Sequence, residues 1–142
     1  MLNTLYIGIG QCGNRFADCF AKHSTENAEL REGRAGVAAV AINTAAGDMS
    51  VLDNIPEENR VKITLANHLE GAGRDPEIGR KSMAEHLDVV DNCIATACSK
   101  AQMEHIDLCF LWAGLGGGTG TGGLLVLADH LVEQGYDIDI GV

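Results

Sequence analysis

Short apolar runs alternate along the chain with longer stretches in which apolar residues recur every three or four positions. Residues 5–9, 37–42, 61–65, 106–112 and 138–142 are the short runs, and their length and branched residues predict β-strands. Residues 37–42 contain no polar side chain, as expected of a strand covered on both faces. Between the runs, Phe16, Cys19, Phe20 and His23 predict a helix over 14–23 that lays this stripe on a sheet. A short turn of helix is expected at 49–52. Met83, Leu87, Val90, Ile94 and Ala97 define a further helix at spacings of four, three, four and three. Leu124, Leu125, Leu127, Ala128, Leu131 and Val132 define another, with Gly135 as its terminator. Such alternation predicts an α/β fold, a doubly wound and mostly parallel Rossmann-like sheet. In that topology the loops leaving the carboxyl ends of the strands share one edge.

Those loops are rich in glycine. Seven glycines fall in the ten positions 114–123, between the strand at 106–112 and the helix that begins near Leu124. So many bare positions let backbone N–H groups approach a bound group, and Thr119 and Thr121 add hydroxyls. A loop of this kind at a helix N-terminus binds anions, phosphate above all. It is not a Walker loop, because no Gly-Lys-Ser or Gly-Lys-Thr closes it and residues 101–142 contain no lysine. Backbone amides, hydroxyls and a metal would hold the phosphates, and a branched side chain at Gly118 is expected to block them.

Two further loops belong to the same edge. The first strand opens onto Gly8-Ile9-Gly10-Gln11-Cys12-Gly13-Asn14, which satisfies the spacing of the dinucleotide fingerprint. An NAD-type Rossmann domain would place an acid at the end of the second strand, to bind the ribose. Here that strand ends Ala41-Ile42-Asn43-Thr44-Ala45, with no acid before Asp48. The third loop is Gly71-Ala72-Gly73-Arg74-Asp75-Pro76-Glu77. Asp75 suits the N-cap of the following helix, Pro76 its first position and Glu77 the positive end of its dipole. Arg74 is the cation this loop offers to a bound anion, while Arg80 and Lys81 read as surface charges on the helix.

Gly116-Gly117-Gly118-Thr119-Gly120-Thr121-Gly122 resembles the signature loop of the tubulin/FtsZ family of GTP-binding, filament-forming proteins. Gly10-Gln11-Cys12-Gly13-Asn14 is similar to the first nucleotide loop of the tubulin branch. Gly71, Ala72, Gly73 and Arg74 lie in a string that resembles the third loop of FtsZ, which faces the terminal phosphate. Asn43-Thr44 resembles the FtsZ branch at the end of the second strand, but Ala45 stands where that branch has an acid, and Asp48 is the candidate substitute. The resemblance implies GTP or GDP as ligand, with Mg2+ accompanying GTP and no metal ligand assigned. It covers the whole chain, as the N-terminal part of a nucleotide-binding domain with no second domain. The family hydrolyses GTP between two subunits, with an acid from a later loop. The chain by itself is therefore expected to hold phosphates without hydrolysing them or forming an ordinary filament. Its partners are expected to be the nucleotide and either another copy or a full-length relative. A non-catalytic regulatory module built on this fold is the alternative, and an NAD-type domain the second.

Composition narrows this further. With 46% hydrophobic residues in 142, one domain with a sizeable core is expected. A net charge of −10 argues against nucleic acid and anionic membranes as partners. Cys12, Cys19, Cys93, Cys98 and Cys109 are odd in number and lack Cys-x-x-Cys spacing, which fits reduced thiols and a cytoplasmic location. The histidines at 23, 68, 86, 105 and 130 are too scattered to suggest a metal site. No signal peptide is recognisable, and no apolar run reaches the length of a membrane span. A last strand at an open edge, beside an incompletely covered helix, predicts self-association.

Overall fold

The structure, a computed structural model, describes residues 2–26, 36–65, 67 and 70–142. Its element order is β1 Thr4–Ile9, α1 Gly10–Glu26, β2 Val37–Asn43, α2 Ala46–Met49, β3 Arg60–Lys62, α3 Pro76–Glu85, α4 Leu87–Lys100, β4 Leu108–Ala113, α5 Gly118–Glu133 and β5 Ile138–Gly141. The five strands form one sheet in the order β3-β2-β1-β4-β5, every pair parallel. β1 lies at the centre because Leu5, Ile7 and Ile9 point to one face and are fully buried there. Its register pairs Ile9 with Ile42 on one side and with Ala113 on the other. The chain therefore leaves β1, β2 and β4 at the same height, and the three following loops emerge side by side.

The two faces of the sheet are packed differently. Leu5, Ile7, Ile9, Val40, Ile42 and Leu111 meet Met83, Val90, Leu127 and Leu131 of α3, α4 and α5 in a core of large side chains. Each such residue contributes about 1.5–3 kcal/mol on full burial. The opposite face is built from Ala39 and Ala41 against Ala17 and Ala21 of α1, extended by Met49, Leu52 and Ile55. Small residues are required because α1 sits almost on the sheet backbone. A Cβ on Gly13 would collide with the Trp112 carbonyl, and one on Gly8 would lie 2.7 Å from the Asn14 nitrogen.

That close approach corrects the stripe predicted for α1. The buried positions are Gly13, Asn14, Ala17 and Ala21, while Cys19 and His23 are exposed and Phe16 is 51% exposed. No room exists for an aromatic ring beneath the helix. Phe16 and Phe20 instead lean over its flank, stacked on Trp112 at 5.4 and 5.2 Å. The helix predicted through Met83 and Ala97 is likewise two helices, broken at His86. There the imidazole Nδ1 lies 2.7 Å from the Ser82 carbonyl, and the His86 amide donates to Met83 rather than to Ser82. A side chain has taken the acceptor that the helical ladder would have used. Leu87, at the start of α4, is consequently half-buried.

The cysteines are all free. Burial pushes the Cys93 thiol up to about 11 and the Cys109 thiol to about 12, so both stay protonated at neutral pH. No three His, Cys, Asp or Glu residues cluster among the described residues in a way that could hold a metal, and His68 lies outside them. No described helix is long and apolar enough to cross a membrane.

Candidate functional site

Four loops meet above the carboxyl edge of the sheet. Gly10, which links β1 to α1, has φ +73°, a left-handed conformation that glycine adopts at little cost. A Cβ there would lie 3.1 Å from the Gly120 nitrogen, so the first loop nearly touches the first turn of α5. At the end of β2 the Asn43 carbonyl Oδ1 accepts the Thr44 amide at 2.8 Å. Its Nδ2 donates to Asp48 at 3.3 Å, and Gln11 Nε2 donates to the other oxygen of Asp48 at 3.3 Å. Asp48 thus joins the first loop to the second.

The third loop is tied down at both ends. The Gly71 amide donates to the Thr44 carbonyl at 3.2 Å, and the Asp75 amide to the Ala72 carbonyl at 2.9 Å. Asp75 then caps α3 through the Glu77 amide at 2.9 Å, with Pro76 at the first turn as its sequence predicts. Gly73 has φ +57° and Arg74 φ +62°. Holding a non-glycine residue in this region costs about 1–2 kcal/mol, strain of a kind that concentrates at functional sites. The fourth loop, 114–117, delivers the chain to α5, whose N-cap Gly117 offers no capping side chain. The N-terminal amides and the positive end of the α5 dipole therefore face the cavity without a side-chain acceptor from their own cap.

The loops enclose a cavity of about 500 Å³. Its walls are Gly10, Gln11 and Cys12 from the first loop, Asn43 and Thr44 from the second, and Gly71, Ala72, Gly73 and Arg74 from the third. Gly116, Gly117, Gly118, Thr119 and Gly120 complete it. Among the described residues Arg74 and Asp48 are the only charged side chains in this lining, so negative charge is not concentrated here. Ile9, Ala45 and Gly114 also border the cavity and are absent from the predicted set; they immediately flank the motifs, and position was the only signal available for them.

Gly13, Asn14, Thr121 and Gly122 do not line it. Asn14 is fully buried and accepts the Ile42 amide at 3.1 Å. Thr121 donates to the Leu115 carbonyl at 2.8 Å. Gly122 is pressed against α3, where a Cβ would strike the Pro76 carbonyl. Gly118 reaches the cavity but also packs: a Cβ there would lie 2.7 Å from both the Ala72 Cβ and the Asp75 carbonyl oxygen. A branched residue at Gly118 would therefore disturb the third loop as well as a phosphate. Gly116 and Gly117 have nothing within 4 Å of a Cβ position.

A slightly larger hollow of about 570 Å³ lies among Asp91, Cys98, Met103, His105, Gln134 and Tyr136. None of the glycine loops borders it, and in its wall Gln134 Nε2 already donates to Asp91 at 3.0 Å. Convergence of the glycine loops on the uncapped N-terminus of α5 makes the smaller cavity the functional candidate.

Comparison with known proteins agrees with this geometry. A profile of the Tubulin/FtsZ family GTPase domain matches residues 3–139. The tubulin-like protein CetZ of Pyrococcus abyssi is 36% identical over 135 residues, which is 94% of this chain and 33% of CetZ. Among solved structures, the GDP-bound CetZ1 monomer of Haloferax volcanii superposes with a TM-score of 0.83 at 33% identity, over 98% of this chain and 40% of that one. CetZ2 of the same organism, solved as a GTPγS-bound protofilament, gives 0.76 at 30% identity, over 98% and 38%. The chain thus spans about a third of the length of the curated relatives it matches.

Proposed function

The chain belongs to the tubulin/FtsZ family of GTPase domains, and on that premise we propose that it binds GTP or GDP in the cavity above the carboxyl edge of its sheet. The observation that carries the proposal is the uncapped N-terminus of α5 opening onto Gly116 and Gly117, where backbone can approach a ligand unobstructed. Amides of this loop and of Gly10 would hold the phosphates, with the Thr119 and Thr44 hydroxyls beside them. Arg74 would meet the terminal phosphate from the third loop. Nucleotide in CetZ1 and CetZ2, as GDP and GTPγS, supports the same ligand here.

Mg2+ fits this site through one carboxylate. Magnesium keeps several waters and usually takes one or two carboxylates together with phosphate oxygens. Asp48, oriented by Gln11 and Asn43, would supply that ligand in place of the acid missing at Ala45. Bound there, the ion would neutralise phosphate charge. Among the described residues Asp48 is the only carboxylate in the lining and is already engaged by two amides, so these residues offer no separate base to activate water. We therefore assign this chain binding without hydrolysis. Family membership and the CetZ2 protofilament support reading it as the N-terminal part of a nucleotide-binding domain, in the cytoplasm, that assembles with another copy or a longer relative.

Titration with a fluorescent GTP analogue in Mg2+, competed by GDP, ATP and NAD, tests the proposal. Saturable binding displaced by GDP and not by NAD is expected. A Gly117→Val variant should lose at least tenfold in affinity while unfolding at the parent's temperature. Sedimentation of the same samples with and without nucleotide reports assembly. Binding unchanged in Gly117→Val, or displaced by NAD, would remove the site from this loop.

A further inference from the structure

Inside the cavity wall, Thr44 Oγ1 lies 2.6 Å from Thr119 Oγ1, with Thr44 1% and Thr119 6% exposed. Two hydroxyls carry two hydrogens, and the short contact between them uses one. Neither hydroxyl makes another hydrogen bond among the described residues, so the second hydrogen has no protein acceptor there. A buried donor in that position favours an acceptor in the adjoining space, and both residues border the cavity. A phosphate oxygen is the strongest acceptor the proposed ligand offers, because the bond it forms is charge-assisted.

Thr44 also governs the third loop. Its carbonyl accepts the Gly71 amide at 3.2 Å and the Thr64 hydroxyl at 2.9 Å. The residue is therefore bonded through its side chain to the start of α5 and through its backbone to the loop that carries Arg74. Thr119 is fixed from behind, since a Cβ on Gly79 of α3 would lie 3.0 Å from its Cα. A shift of Thr44 is therefore carried through its carbonyl to the Gly71 amide and the Thr64 hydroxyl.

We propose that the Thr44–Thr119 hydroxyl pair donates its spare hydrogen to a phosphate oxygen and, through the Thr44 carbonyl, sets the third loop for the terminal phosphate. Thr44 is then a positioning residue that favours triphosphate over diphosphate. This rests on the nucleotide reading above. Either hydroxyl can be the inner donor, so the spare hydrogen can lie on the side where the ligand's oxygen sits.

The test compares the parent chain with Thr44→Val, Thr44→Ser, Thr119→Val and the double valine variant, each titrated with GTPγS and with GDP in Mg2+. Thr44→Val is expected to weaken GTPγS about tenfold and GDP by less than threefold. Thr44→Ser should restore the parent ratio, which a loss of packing at the valine would not explain. The double variant should bind GTPγS no more weakly than Thr119→Val alone by more than about twofold. Equal losses for the two nucleotides, or losses that multiply in the double variant, overturn the positioning role while leaving the nucleotide site intact. A parent chain that binds neither nucleotide overturns both readings together.

Discussion

Gly116 and Gly117 would each accept a side chain without meeting an atom within 4 Å, whereas Gly118, Gly120 and Gly122, immediately after them, would each push one into neighbouring backbone. The same glycine-rich string therefore does two unlike things. Its first half leaves backbone open to a ligand. In its second half Gly118 and Gly122 let α5 lie against α3 and its cap at a distance that only bare Cα atoms permit, with Gly79 of α3 contributing the reciprocal gap against the Gly118 carbonyl, while Gly120 rests on the Gly114 and Ile9 carbonyls. Composition alone does not separate these jobs, because both require the absence of a Cβ. What separates them is which strand end and which helix lie opposite.

The sharpest way to break the comparison is to add one methyl group on each side of it. Gly122→Ala drives a carbon into the Pro76 carbonyl and within 2.6 Å of the Arg80 nitrogen, both backbone atoms of α3 that cannot swing aside. A loss of about 3 kcal/mol or a failure to fold is expected, at the upper end for overpacking. Gly116→Ala should stay within about 0.5 kcal/mol of the parent, as an unobstructed surface change does. Urea denaturation of the two variants decides it, and equal stabilities would mean that α3 and α5 are not held by this seam.

A smaller effect concerns backbone amides that have already found their anion. On the far side of α1, Asp18 accepts the Asn54 amide at 2.8 Å, the Ile55 amide at 2.8 Å, the Asp53 amide at 3.3 Å and the Asn54 side chain at 2.9 Å. The cavity gathers amides for a ligand; this loop gathers them around a carboxylate of the chain itself. Burial alone would raise the Asp18 pKa, but the Asn54 side chain and the three amides outweigh it and hold the group below its usual value. With the folded pKa depressed, the contribution to stability is complete above the unfolded value near 4 and is lost as pH falls through the folded one. The thermal unfolding temperature should accordingly drop as pH falls below about 4, and Asp18→Asn should flatten that part of the profile. An identical acid profile in the variant would show that other carboxylates control the transition.

Much of this architecture was legible in the chain. Five apolar runs gave five parallel strands, and the Asp75-Pro76-Glu77 cap formed as its chemistry predicts. The glycine loops were legible as a group, since a parallel α/β topology brings the ends of its strands to one edge. What escaped was decided by contacts distant in sequence. Nothing near Phe16 announces that Gly13 will rest on the Trp112 carbonyl and leave only alanine-sized room under α1. Nothing near Gly122 names Pro76 as its neighbour. The break at His86 was hidden for another reason, because an imidazole competing for a helical carbonyl leaves the apolar spacing undisturbed.

A third use of glycine, conformational and nothing more, is isolated at the ends of α4 and α5. Both helices close with the same pair of bonds. Gln102 donates to Ser99 and Met103 to Cys98 in one, while Gly135 donates to Val132 and Tyr136 to Leu131 in the other. Each places one residue in the left-handed region, Gly135 at φ +89° and Gln102 at φ +55°. Gly135 has no atom within 4 Å of a Cβ, so neither packing nor a ligand calls for glycine there. Gln102 bears the strain that Gly135 avoids. Gln102→Gly should therefore stabilise the chain by about 0.5–1 kcal/mol after the added freedom of the unfolded chain is subtracted, and Gly135→Ala should destabilise it by about 1 kcal/mol. Opposite shifts in the urea midpoint at constant slope would tie both effects to backbone conformation, and shifts of the same sign would show that side-chain contacts at the two helix ends outweigh it.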